Sequence, residues 1–295
     1  MFRRVGLMIA VNVLVMVTIS VFTYSFGLNR YLDANGINYQ SLALFCLVWG
    51  FGGAFISLGL SRVMAKFAMR VRIIDPAQMG DPAERRLVEM VHRHAKAARI
   101  DVMPQVGIYD SPEVNAFATG PTRNRALVAV STGLLGRMNE REVEGVIGHE
   151  IAHVANGDMV TMTLIQGVVN AFAMFIARII AHSVSKLVPE DARVMTNFAV
   201  MIVAEIALVI LGSVVVASFS RYREFRADAG GANLAGREKM IAALTALQRN
   251  VEYVDPNAPK SVAAFRISGK QGGFLSLFSS HPPLEARIQR LKQLG

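Results

Sequence analysis

Cysteine is nearly absent: Cys46 is the only one in 295 residues. One thiol cannot close a disulfide within the chain, and it excludes a zinc site built from cysteines. Histidine is scarce too, with six, so a pair at ligand spacing stands out. Trp49 is the single tryptophan and reads as packing. Charged residues make up only 18% of the chain against 53% apolar, and the mean hydropathy of +0.38 exceeds ordinary soluble composition. No internal repeat is evident. Acidic residues are outnumbered, 22 against 31 Lys and Arg, for a net charge of +9. Such a balance can signal nucleic acid, but here no aromatics interleave with the bases and no nucleic-acid motif accompanies them. The bases cluster beside apolar stretches, which suits a lipid bilayer with anionic headgroups and excludes a nucleic-acid partner.

The apolar excess falls in four runs: Val5–Phe26, Ser41–Leu60, Met159–Ile180 and Thr196–Ser220. Each is about the 20 residues needed to cross about 30 Å of hydrocarbon as a helix. The first has no convincing small-residue cleavage site after it, so it reads as a span and not as a secretory signal. The second is rich in small residues, among them Gly50, Gly52, Gly53 and Gly59, which let helices approach closely. The fourth holds Glu205, a costly residue there, read as a protonated or paired member of a bundle. The expected organisation is two spans in 1–61, a catalytic part in 62–158, a second membrane hairpin in 159–220 and a second catalytic part in 221–295. Arg3, Arg4, Arg62, Lys66, Arg70, Arg72, Arg221, Arg223 and Arg226 lie on one side of the spans, against Arg30, Arg178, Lys186 and Arg193 on the other. The positive-inside bias puts the catalytic parts in the cytoplasm.

From Asp75 the composition is that of a soluble domain. Asp81, Pro82 and Glu84 predict a helix start, with the helix running to about Arg99. His92 and His94 lie on it, point apart and suit surface or packing roles. Gln105–Tyr109, Ala116–Thr119 and Ala126–Ser131 read as strands of a small antiparallel sheet. Next comes H-E-I-A-H-V-A-N-G-D, from His149 to Asp158. On a helix, His149 and His153 share a face, and both imidazoles can grip one metal ion. Glu150 can reach a water on that ion. This is the H-E-x-x-H arrangement of zinc proteases, two ligands and a general base. Asn139 and Glu142 predict a capping box before it, and Asn156 and Gly157 an end. The fold expected is an α+β zincin-like protease domain combined with four hydrophobic, transmembrane helices.

A catalytic zinc takes three protein ligands and keeps one position open. Glu224, in E-F-R-A-D just after the last apolar run, is the best third ligand. Asp228, one turn on, can accept a hydrogen bond from a ligand imidazole and fix its tautomer. The bland alternative for both is a solvated helix face paired with Arg221 and Arg223. The segment Arg221–Asp228 is expected to open a helix reaching Asn250. Val254–Ser280 reads as a mobile loop, and His281-Pro282-Pro283 starts a last helix with Leu284, Ile288 and Leu291 on its apolar side.

At these residues the chain resembles the HtpX-type membrane zinc metalloproteases, relatives of the CAAX prenyl proteases. The likeness rests on H-E-I-A-H-V-A-N-G-D, E-F-R-A-D, N-A-F-A-T-G from Asn115 to Gly120, S-H-P-P-L-E-A-R-I from Ser280 to Ile288, and the order of the spans. It covers nearly the whole chain. The resemblance implies one zinc on His149, His153 and Glu224, with Glu150 as base. It places His281 near the site and Asn115 beside the substrate; His281 is also the candidate second donor to the oxyanion, the alternative being a helix-start residue ahead of Pro282 that caps or packs. It also implies endoproteolysis of damaged or misfolded membrane proteins, and of unfolded polypeptides, in the bacterial inner membrane. Two alternatives stand beside it: a prenyl-type processing protease, and an inactive membrane scaffold or holdase with a structural zinc.

Overall fold

The helix of the fourth apolar run continues past the change in polarity at Arg221 and ends only before Gly236. A computed structural model describes residues 39–77, 80–252, 277 and 279–293. The expected first span, Val5–Phe26, and most of the expected loop Val254–Ser280 lie outside the described residues. The described elements are α1 (Tyr39–Ala68), β1 (Arg72–Ile73), α2 (Pro82–Ala97), β2 (Gln105–Tyr109), β3 (Ala116–Thr119), β4 (Leu127–Ser131), α3 (Thr132–Arg137), α4 (Glu140–Asn156), α5 (Asp158–Ser185), α6 (Arg193–Ala235), α7 (Arg237–Glu252) and α8 (Leu284–Gln293). They fall into two compact units. One lies within Met1–Ile56 and Thr163–Val216, the other within Ser57–Met162, Ala217–Asn257 and Arg266–Gly295.

The first unit is built from parts of α1, α5 and α6. Among the described residues these are the three helices long and apolar enough to cross a membrane. Their packing uses small residues: a Cβ on Gly50 would stand 2.7 Å from the backbone nitrogen of Ala171. Leu42, Cys46 and Met174 are buried together. Leu44, Phe172, Val203 and Leu211 are exposed, as lipid-facing side chains would be. Glu205 is buried, with Arg178 Nη1 4.0 Å away, the paired arrangement expected of it. Two boundaries differ from expectation. α5 continues past Ile180 to Ser185, which shortens the link to the fourth apolar run. α6 runs 43 residues without a break, so E-F-R-A-D continues the fourth apolar helix instead of opening a new one. No breaker stands between Ser213 and Ala229; Gly236, at φ 102°, ends the helix, and α7 follows.

The second unit holds a four-stranded sheet in the order β1-β2-β4-β3. The sheet is mixed, which corrects the antiparallel expectation: β2 and β4 pair in parallel, Gln105 opposite Leu127 through Tyr109 opposite Ser131. The chain does reverse between successive strands, but β4 inserts between β2 and β3. Its residues Leu127 to Val130 are fully buried, and a strand apolar on both faces belongs in the middle of a sheet. The two-residue β1, which the sequence reading did not anticipate, pairs antiparallel with β2. β3 lies at one edge of the sheet and β1 at the other. Against the sheet pack α2 and α4, through Leu87, Val91, Val128, Val130, Ile147 and Ile151. Asp81 caps α2 by accepting from Ala83 N–H. His94, buried on α2, stands 3.5 Å from Glu144, and His92 lies 3.3 Å from the carbonyl of Pro104, so both keep packing roles.

Candidate metal centre

α4 carries the H-E-x-x-H. Asn139 accepts from Glu142 N–H while the Glu142 carboxylate accepts from Asn139 N–H, a reciprocal box that fixes the first turn. Gly157, at φ 67°, takes the left-handed cap and stops the helix four residues after His153. α6 approaches α4 closely enough that side chains are excluded at the contact. A Cβ on Gly231 would stand 2.9 Å from the backbone nitrogen of His149, and one on Gly148 would stand 2.9 Å from Ala235 Cβ. Glycine on both helices lets Glu224, two turns before Gly231, reach the two histidines.

The result is a buried cluster. His149 Nε2 and His153 Nε2 are 3.0 Å apart. Glu224 places Oε2 3.5 Å from the first and Oε1 3.3 Å from the second. A four-coordinate zinc with bonds of about 2.0–2.1 Å spaces its ligands roughly 3.3–3.4 Å apart, and the observed separations bracket that value. Each imidazole spends its other nitrogen on a carboxylate: His149 Nδ1 lies 3.0 Å from Asp228 Oδ1, and His153 Nδ1 lies 2.6 Å from Asp158 Oδ2. Donation from Nδ1 leaves a lone pair on each Nε2. Two lone pairs and a carboxylate facing one another call for a cation. Asp158, Glu224 and Asp228 are buried around the two imidazoles, with the buried guanidinium of Arg287 among them. His149, His153 and Glu224 can hold such an ion.

The electrostatics agree. Burial disfavours charge on His149, but hydrogen bonds to Asp228 and Glu224 outweigh it and raise its pKa to about 9. Burial would raise the Glu224 carboxyl; His149, His153 and His281 instead hold it far below the usual range. Asp228 is likewise held low, by Arg287 and His149 against burial. Such a pocket takes up either protons or a cation.

Other expected residues are placed as follows. Glu150 is half-buried on α4 and makes no ion pair among the described residues. His281 stands with Nδ1 2.9 Å from Glu224 Oε2. Asn115 is tied to the end of β4: its N–H donates to Ser131 Oγ at 3.1 Å, and its carbonyl accepts from Ser131 N–H at 2.9 Å. It is not among the groups that contact the three donors. Glu224 and Asp228 are 1% and 2% exposed, which removes the solvated-face alternative. Sequence reasoning missed Asp158 and Arg287. Asp158 is fully buried between His153 and Arg226. Arg287 grips Asp228 with two bonds, 2.6 and 2.8 Å. A signal for it existed: Leu284, Arg287, Ile288 and Leu291 share one helical stripe, so the arginine sits on the apolar face.

A buried site able to hold a metal, in a chain with three helices long and apolar enough to cross a membrane, fits a membrane metallopeptidase. The profile of peptidase family M48 matches residues 82–294, most of the chain, and the chain belongs to that family. Relatives match along the full length. Protease HtpX of Thioalkalivibrio sulfidiphilus is 51% identical, over 99% of both chains. The protease HtpX homolog of Methylacidiphilum infernorum is 49% identical, over 100% of this chain and 99% of its own. Among solved structures, Ste24p of S. mikatae is similar in fold at a TM-score of 0.60 and 17% identity, with 96% of this chain and 66% of Ste24p covered.

Proposed function

We propose that the chain is a zinc metalloendopeptidase that hydrolyses peptide bonds of misfolded or damaged membrane proteins and of unfolded polypeptides. The observation that carries the reading is the convergence of His149 Nε2, His153 Nε2 and Glu224 at 3.0–3.5 Å on an H-E-x-x-H helix. The relatives are named proteases, which supports peptide-bond hydrolysis. The three apolar helices support a membrane setting for the substrates. We read Val5–Phe26 as a fourth span and the α+β part as zincin-like. Residues 62–158 and 221–295 form the catalytic parts in this reading. The bias of Arg62, Lys66, Arg70, Arg72, Arg221, Arg223 and Arg226 turns them to the cytoplasm of a bacterial inner membrane.

A zinc ion in the centre would act as a Lewis acid toward the attacking water and the scissile carbonyl. The protein's own groups do the rest. Asp228 and Asp158 hold the two imidazoles in the tautomer that presents Nε2. Glu150 takes the proton of the attacking water and passes it to the leaving amine. His281, with Nδ1 against Glu224, supplies Nε2 to the developing oxyanion. A substrate chain adds to the free edge of β3, beside Asn115, as a fifth strand.

The test is casein degradation by purified, zinc-loaded protein. Glu150→Gln should keep its zinc and its fold and lose about a thousandfold or more in rate, because base and proton shuttle go together. Near-normal turnover by this variant would sink the mechanism, and a wild-type chain that holds zinc without cutting would make it a scaffold.

A further inference from the structure

Arg287 is the only buried lysine or arginine among the described residues. It comes from α8, remote in sequence from both helices that carry the donors. Its Nε donates to Asp228 Oδ2 at 2.8 Å and its Nη2 to Asp228 Oδ1 at 2.6 Å. Oδ1 is also the oxygen that faces His149 Nδ1 at 3.0 Å. A guanidinium fork on a carboxylate fixes the plane of that carboxylate as well as its place. Nη1 stands 3.4 Å from Glu224 Oε2, and Nη2 stands 3.5 Å from His149 Nδ1. One side chain therefore touches a ligand carboxylate, the carboxylate behind a ligand imidazole, and that imidazole. Leu284, Ile288 and Leu291, packed with Met240 and Leu244, hold α8 in place.

We propose that Arg287 is a positioning residue of the metal centre, acting through Asp228: the fork orients the carboxylate that turns His149 Nε2 toward His153 and Glu224. The proposal rests on the metal reading given above. Charge alone predicts the opposite effect. A cation beside a cation site repels the metal, so removing it would tighten binding if Arg287 acted only by its charge. Positioning predicts weaker binding.

The experiment is chelator competition on the purified full-length chain in detergent, with zinc and cobalt(II) as probes, alongside thermal unfolding of the metal-free chain. His149→Ala removes a donor and sets the floor. If it binds zinc like the wild type, the metal reading fails, and fails separately from the proposal. With that floor established, Arg287→Met should weaken zinc about 10- to 100-fold, the usual scale for groups behind a ligand. Arg287→Lys, which keeps the charge but not the fork, should also weaken it and shift the absorption of bound cobalt(II). Asp228→Asn should cost a similar factor. Adding Arg287→Met to Asp228→Asn should cost no more than about twofold further, since both act through one contact. Unchanged or tighter zinc binding in Arg287→Met and Arg287→Lys overturns the proposal, even if the metal-free chain melts earlier. Independent, multiplying losses in the double variant overturn it too. If Arg287→Met alone does not fold, Arg287→Lys and the double variant, in which the stranded Asp228 charge is gone, decide the matter by the same criteria.

Discussion

Gly231→Ala is the smallest change that should open the centre from a distance. The added Cβ would stand 2.9 Å from the backbone nitrogen of His149, 3.1 Å from its Cα and 2.9 Å from Met240 Sδ. The methionine can yield, but the backbone of α4 cannot. Ordinary contact needs about 3.5–4.0 Å, so α6 and α4 must part by roughly 0.6–1 Å here. Overpacking of this kind costs about 1–3 kcal/mol. Glu224 lies two turns away on the same helix, and its oxygens stand 3.3 and 3.5 Å from the histidine nitrogens. A metal site tolerates about 0.2 Å of error in ligand distance, so the donors should no longer close on one ion. We expect zinc affinity to fall about 10- to 100-fold or more, measured by chelator competition, with a lower melting temperature. Gly136→Ala is the control: nothing lies within 4 Å of the added Cβ, and a helix gains about 0.4–1 kcal/mol from such a change where the backbone allows it. Wild-type zinc affinity and stability in Gly231→Ala would refute the close-approach reasoning.

Further predictions separate the roles around the metal. Glu224→Ala should lose most bound zinc and Asp228→Ala only about 10- to 100-fold in affinity; zinc content ranks them, and the reverse order would make Asp228 the ligand. His281→Phe should bind zinc normally and lose about 100- to 1,000-fold in turnover, whereas a structural His281 would lower only the melting temperature. Stripping the metal should lower thermal stability, since zinc at a hundred times its Kd contributes about 2.7 kcal/mol; equal melting curves with and without chelator would place the ion elsewhere. Glu224 follows Ser220 by only four residues, so a cleavable segment tethered to a membrane span by a short linker should be cut faster than the same segment free in solution. Rates in proteoliposomes that ignore linker length would count against that.

Local chemistry was legible in the sequence wherever a few neighbouring residues sufficed. The box of Asn139 and Glu142 and the stop at Gly157 needed no tertiary information. The pairing of His149 with His153 followed from helical spacing alone, and Glu224 from its place after an apolar run. Strand partners were not legible, because β2 meets β4 across an intervening strand that local periodicity cannot see. The uniform burial of β4 was the available hint. The join between the fourth apolar run and E-F-R-A-D was misread because a change in polarity was taken for a boundary. Arg287 and Asp158 were hidden for a different reason. Arg287 shares a stripe with Leu284, Ile288 and Leu291, which marks a buried face but not a partner 59 residues away, and Asp158 lies beyond the Gly157 stop, five residues from His153.

The contact between α8 and the metal helix has a consequence for biosynthesis. Arg287 lies 138 residues after His149. A ribosome adding about 5–20 residues per second makes the guanidinium roughly 7–28 s after the first histidine. Through that interval the nascent chain carries its H-E-x-x-H helix, then Glu224 and Asp228, without the guanidinium fork on Asp228. With the role proposed for Arg287, the nascent centre holds its ion about 10- to 100-fold less tightly until α8 docks.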